Sequence, residues 1–265
     1  MSETQNSTEQ LKSKNNPARL STLMKRASSL AERGMYDEAI ANIKQAMMIY
    51  PKEPKCSVQL ASIYKAQNRI GPAIEAMKKA VELDPMNSTV QEQLLRTLLE
   101  LERYDEAIST SKQLLKTSPR NLFARDIMGV AYLQQGCLDK ALKVTNELIR
   151  LAPTDSAHHF KKAVLLQQKG EISSAMDAYL RVLEMDHDEE IIDDARAAIA
   201  ALDSYQLRQI ITLIMEDPIF RAKLSINPAS ALGEKGFKLS SSGIATLKQI
   251  SVDDLPEESS SRFYH

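Results

Sequence analysis

Apolar residues recur along this chain at helical spacing, in paired segments separated by short polar turns. One pair runs Leu60, Ile63 and Tyr64, then Ala73, Ile74, Met77, Ala80 and Val81. Steps of three and four predict two amphipathic helices, each with one buried face. The pairs themselves repeat. Alanine stands at Ala39, Ala73, Ala107, Ala141 and Ala175, and proline at Pro51, Pro85, Pro119 and Pro153, both series at intervals of 34 residues. The two registers define five units, Leu20–Glu53, Pro54–Asn87, Ser88–Asn121, Leu122–Asp155 and Ser156–Glu189, and regular self-similarity of this length predicts a stacked array. Alanine at a helix crossing lets two backbones approach closely. Gly34, Asn68, Gly136 and Gly170 supply a tolerant C-cap between the helices of a unit. Each proline then ends the second helix.

The register resembles the tetratricopeptide repeat, a helix–turn–helix unit of 34 residues. Leu60, Ala61, Tyr64, Ala73, Ala80 and Pro85 fill the family's packing positions in the second unit, and Met128, Gly129, Tyr132, Gly136, Ala141 and Pro153 do so in the fourth. The strings GMYDEAI, RYDEAI and LDPMN are similar to ordinary repeat sequence. The resemblance covers residues 20–189 and implies an all-α, right-handed superhelical solenoid with a concave inner face. The fifth unit departs from the pattern, with His187 in place of the terminal proline. Glu190–Leu202 is expected to form a capping helix through Ile191, Ile192, Ala195, Ile199 and Leu202, since an array needs a solubilising end.

Residues 203–250 leave the register and are expected to form a small helical module. Leu207, Ile210, Ile211 and Ile214 predict a helix over Ser204–Glu216, stopped by Pro218. The following forty or so residues, with Asp-Pro, Phe-Arg, Ala-Leu and Gly-Phe steps, are similar to leader segments of some ribosomal natural-product precursors and to the small subunit of certain ring-cleaving dioxygenases. That likeness leaves a docked helical domain, a recognition module and a lid over the groove all open. Residues 1–19 and the acidic, serine-rich stretch 251–265 are expected to be disordered.

Composition narrows the function. The 265 residues carry 34 basic and 35 acidic side chains, a balance unlike the basic footprint of a nucleic-acid binder. No apolar run approaches the length needed to span a bilayer, and no secretory h-region precedes Arg19. Two cysteines, Cys56 and Cys137, form no disulfide framework, so the expected compartment is the cytoplasm. Eight glycines include no phosphate-loop string, and no HExxH or GxSxG motif occurs. His158 and His159 are adjacent, so on a helix they point about 100° apart and are poorly set to share a metal ion. The acids Asp186, Asp188, Glu189, Glu190, Asp193 and Asp194 read as a solvated face at a helix start. No enzyme, metal or cofactor is expected.

The resemblance implies that the inner face is built from the second, fifth, ninth and twelfth positions of each unit. These are Ser21, Met24, Ser28 and Ala31; Lys55, Val58, Ser62 and Lys65; Thr89, Glu92, Arg96 and Leu99; Phe123, Asp126, Val130 and Leu133; and Ala157, Phe160, Val164 and Gln167. The Lys and Asn clamp with which chaperone-binding members grip a terminal carboxylate is missing. From this set Lys65, Arg96, Leu99, Phe123, Asp126, Val130, Leu133, Phe160, Val164 and Gln167 are the expected partner-binding residues. An apolar strip beside basic groups suits an amphipathic helix or an extended, partly acidic peptide. The expectation is therefore a non-catalytic protein-interaction scaffold or adaptor. A self-associating assembly protein, groove coverage by the C-terminal module and an accessory subunit of a modifying enzyme stand as alternatives.

Overall fold

The computed structural model describes residues 17–185 and 189–250. The expectations for residues 1–16, Asp186, His187, Asp188 and the stretch 251–265 lie outside the described residues. Pro17–Arg19, expected to be disordered, begin the first helix instead; proline suits the first helical position, where its missing N–H costs nothing.

Among the described residues every element is helical. The first helices of the five repeats are α1 (Pro17–Glu32), α3 (Pro54–Ala66), α5 (Ser88–Glu100), α7 (Leu122–Gln134) and α9 (Ser156–Gln168). Their partners are α2 (Tyr36–Ile49), α4 (Ile70–Leu83), α6 (Tyr104–Thr117), α8 (Leu138–Leu151) and α10 (Ile172–Leu183). Each second helix begins 34 residues after the last one. Beyond them lie α11 (Glu189–Glu216), α12 (Pro218–Ile226), α13 (Pro228–Glu234) and α14 (Ser241–Gln249). The chain forms two compact units, one ending at Ala131 and the other starting at Tyr132.

Local chemistry explains the punctuation. The turn inside each repeat places one residue at positive φ: Gly34 (76°), Asn68 (57°), Glu102 (57°), Gly136 (70°) and Gly170 (82°). The N–H of the next residue then reaches back five positions, as from Arg69 to Tyr64 O (2.8 Å) and from Arg103 to Leu98 O (2.8 Å). That closure satisfies carbonyls the helix end would otherwise leave bare. Between repeats, side chains at positions 87, 121 and 155 cap the next first helix: Asn87 accepts from Val90 N (3.2 Å), Asn121 from Ala124 N (2.7 Å) and Asp155 from Ala157 N (3.0 Å).

In the first unit α1 to α6 pack in sequence, each against its neighbours, and α1 also meets α3. Ala39, Ala73 and Ala107 are fully buried at the crossings. Gln59 ties repeat two to repeat one, donating to Met24 O (2.7 Å) and to Ser28 Oγ (2.8 Å). Glu106 joins repeats two and three, 3.0 Å from Lys78, and also meets Arg103 at 2.5 Å.

In the second unit Ala141, Ala175, Met176, Tyr179 and Val182 form a core that Ala195, Ile199 and Leu202 of α11 complete. A second core collects Ile210, Ile214, Phe220, Leu224, Leu232 and Leu247. The two helices expected on either side of residue 203 are one helix of 28 residues. No glycine or proline interrupts it, and its buried stripe runs on through Leu202, Gln206, Ile210 and Ile214 at helical steps. The expected boundary therefore falls in mid-helix.

Candidate functional site

The first unit carries an open groove of about 990 Å³ across α1, α3 and the start of α5. Met24, Val58 and Val90 contribute apolar surface, while Ser21, Ser28 and Ser62 leave room above it. Lys25, Lys55 and Glu53 give the walls mixed charge. The Gln59 amide group that bridges α3 to α1 also lines this space, so the same contact that stacks the repeats shapes the surface. Ser62 is exposed, and its hydroxyl donates to Val58 O (3.2 Å).

The residues expected to bind a partner have varied surroundings. In the first unit Lys65 pairs with Glu100 at 2.6 Å. The Arg96 guanidinium lies 5.6 Å from the centre of the Phe123 ring, a cation–π distance that gives both side chains a fixed place. Leu99, Asp126 and Val130 are half-buried. In the second unit Leu133, Phe160 and Val164 pack against the unit's own core. The Phe160 ring stands edge-on to Tyr179, centroids 5.6 Å apart and planes at 66°. Gln167 Oε1 accepts the Tyr179 hydroxyl at 2.8 Å, and burial pushes that phenol's pKa up. Leu133, Phe160, Val164 and Gln167 thus make contacts within the fold while remaining half-buried.

Sequence reasoning set Met24 and Val58 on the inner face but left both, and Val90, out of the expected partner-binding residues. The missed signal was smallness. Serine at 21, 28 and 62 leaves space that aromatic and branched side chains fill at equivalent positions of later repeats. Burial, with the nearby Glu53 carboxylate, raises the Cys56 thiol above its ordinary range, which disfavours the nucleophilic thiolate. His158 is buried, 3.5 Å from Asp155, and a His159 ring nitrogen lies 3.0 Å from Pro153 O. Hydrogen bonding to Lys78 holds Glu106 below the usual carboxylate range, and the same bond raises Lys78.

Five helical hairpins in one register, closed by a helical end, define a helix–turn–helix repeat protein. Family models described as tetratricopeptide repeat match residues 30–98 and 128–190. The chain is a tetratricopeptide-repeat protein. No curated protein matches it. Among solved structures it is similar to MamA residues 41 to the end from Desulfovibrio magneticus RS-1, at 17% identity and a TM-score of 0.50, over 63% of this chain and 95% of that one. A further MamA structure aligns at 20% identity with a TM-score of 0.51, over 63% of this chain and 92% of the other. At these identities the likeness concerns the fold. No helix among the described residues is long and apolar enough to cross a membrane.

Proposed function

We propose that this protein is a non-catalytic interaction scaffold that holds a peptide or helix on the first-helix face of its repeats. The observation that carries this reading is the groove across α1, α3 and α5, lined between polar walls by the half-buried Met24 and Val58 and by the buried Val90. A pattern of apolar contacts framed by hydrogen-bonding groups is what an extended or helical ligand reads. Lys25 and Lys55 steer acidic ligand groups, since exposed charges act on encounter and register more than on affinity. The buried Cys56 thiol, raised above its ordinary range, fits binding without chemistry.

A display selection of random peptides against the full chain tests this directly. Selected peptides should combine apolar anchors with acidic flanks. Ser62→Arg fills the groove from an exposed position and should weaken their binding about tenfold or more, a loss of roughly 1.4 kcal/mol, at unchanged helicity and melting temperature. Equal affinity for a folded Ser62→Arg protein would move the site elsewhere.

A further inference from the structure

The exposed side of α1 carries a row of cations that the proposed groove leaves unused. Arg19, Arg26 and Arg33 stand seven residues apart, with Thr22 and Ser29 between them. Steps of three and four put all five on one face of a helix. Arg33 lies just past the end of α1 and keeps its phase, its N–H donating to Ser29 O (3.3 Å). The five residues are exposed, and none of the three arginines has an ion-pair partner among the described residues. At 1.5 Å per residue the row is about 21 Å long. Ser21, Met24 and Ser28, residues of α1 that line the groove, fall on a different side of the helix.

The same face is covered in the next repeat. Cys56, Leu60 and Ile63 stand 34 residues on from Thr22, Arg26 and Ser29, and all three are buried in α3. α3, α5 and α9 each pack against the second helix of the repeat before them, whereas α1 has no repeat before it among the described residues. We propose that the arginine face docks an acidic α-helix of another protein, lying along α1 where later repeats set a neighbouring second helix, with carboxylates seven residues apart facing Arg19, Arg26 and Arg33. A polar face keeps the end of an array soluble, but solubility does not call for one sign of charge; three like charges in register select an opposite neighbour. Helix stability does not call for Arg19 either, because a cation in the first turn opposes the helix dipole. The guanidinium fork matches a carboxylate, and a helix running alongside returns the same side every seven residues. Thr22 and Ser29, small and polar, leave room for its backbone. The row offers no apolar side chain to enter a bilayer, which a surface-bound helix needs.

Fluorescence anisotropy with the full chain at low ionic strength tests this. Two dye-labelled peptides of about 21 residues, long enough to span the row, share one alanine-rich helical sequence. They differ at three positions seven apart, glutamate in one and glutamine in the other. The glutamate peptide should bind about tenfold more tightly, a difference that added salt erases. Arg26→Glu, an exposed change that should leave helicity intact, should weaken its binding roughly threefold or more, and lysine at the central peptide position should restore it. Ser62→Arg, which fills the groove, should leave this binding unchanged, so the two sites fail separately. Equal affinity for both peptides overturns the proposal, as does unchanged binding by a folded Arg26→Glu chain or loss of binding in Ser62→Arg. Tighter capture of phosphatidylserine vesicles or of a single-stranded oligonucleotide, lost in Arg26→Glu, also overturns it and gives the face to a different polyanion.

Discussion

At the scale of single residues, the fold rests on a few positions where backbone geometry or close approach decides what fits. The turn of repeat three holds Glu102 at φ 57°, where the equivalent turns of repeats one, four and five have glycine. A left-handed conformation costs a non-glycine residue about 1–2 kcal/mol, partly offset by glycine's greater freedom when unfolded. Glu102→Gly should therefore raise stability by about 0.5–1 kcal/mol, read as a higher midpoint in urea. Gly136→Ala should lower it by a similar amount. The other tight position is Gly243 at the start of α14. A Cβ there would come within 2.5 Å of Asp203 Oδ1. That carboxylate is not free to move away: it accepts from Ser240 N at 2.9 Å and from the Ser240 hydroxyl. Gly243→Ala should cost about 1–3 kcal/mol, as overpacking does, and should loosen α14 first in hydrogen exchange. The four turn residues Gly34, Asn68, Gly136 and Gly170 were legible from sequence because their chemistry announces positive φ. Glu102 was hidden because glutamate carries no such signal, and Gly243 because its constraint comes from a residue forty positions away.

At the scale of elements, helix ends were partly legible and helix continuity was not. Asp-Pro at 217–218 and Asn-Pro at 227–228 mark the starts of α12 and α13, and both side chains cap them: Asp217 accepts from Ile219 N (3.0 Å) and Phe220 N (2.9 Å), and Asn227 from Ser230 N (3.2 Å). The Phe220 N–H, then the Lys235 ammonium, hold Asp217 below the ordinary carboxylate range. A carboxyl whose folded pKa is depressed stabilises the fold above its unfolded value, near 3.9, and that contribution fades as pH falls through the folded value. The difference in thermal midpoint between the natural chain and Asp217→Ala should accordingly be constant above about pH 5 and close toward pH 2. A gap that persists at pH 2 would show that the charge has no part in the cap. Continuity of α11 escaped the sequence because the repeat register stops near residue 189 while the helical apolar stripe does not. Asp203 and Gln206 are polar, yet both are buried. Gln206 exchanges two hydrogen bonds with the Lys238 backbone, each 2.8 Å, a partnership that spacing along the chain cannot reveal.

At the scale of the whole molecule, the near-equal charges now have addresses in pairs such as Lys65–Glu100, Lys78–Glu106 and Lys169 with Asp139 and Glu171. The five-repeat plan was readable because one interval recurs in two residue types. The location of the open groove was not, because an apolar side chain on an inner face looks alike in sequence whether it meets a ligand or its own core; Phe160 against Tyr179 is the instructive case. In the second unit the last repeat and the C-terminal module are joined through α11, through Ser173 donating to Gly236 O at 2.6 Å, and through the ion pair of Lys238 with Asp177. Ending the chain at residue 202 would cut a helix and strip these contacts. Amide exchange in α9 and α10 should then quicken at least tenfold, about 1.4 kcal/mol of local stability. Unchanged protection in the truncated chain would show that repeat five stands without the module.

The bond between Ser173 and Gly236 also sets a clock on synthesis. Its partners are 63 residues apart, and at ribosomal rates of 5–20 residues per second the second emerges roughly 3–13 seconds after the first. The early repeats have all their contacts within reach as they leave the ribosome, while repeat five waits through that interval with its closing side still unmade. A chaperone that attends this protein during translation should be found on nascent chains of that length, between the exit of α10 and the exit of Gly236.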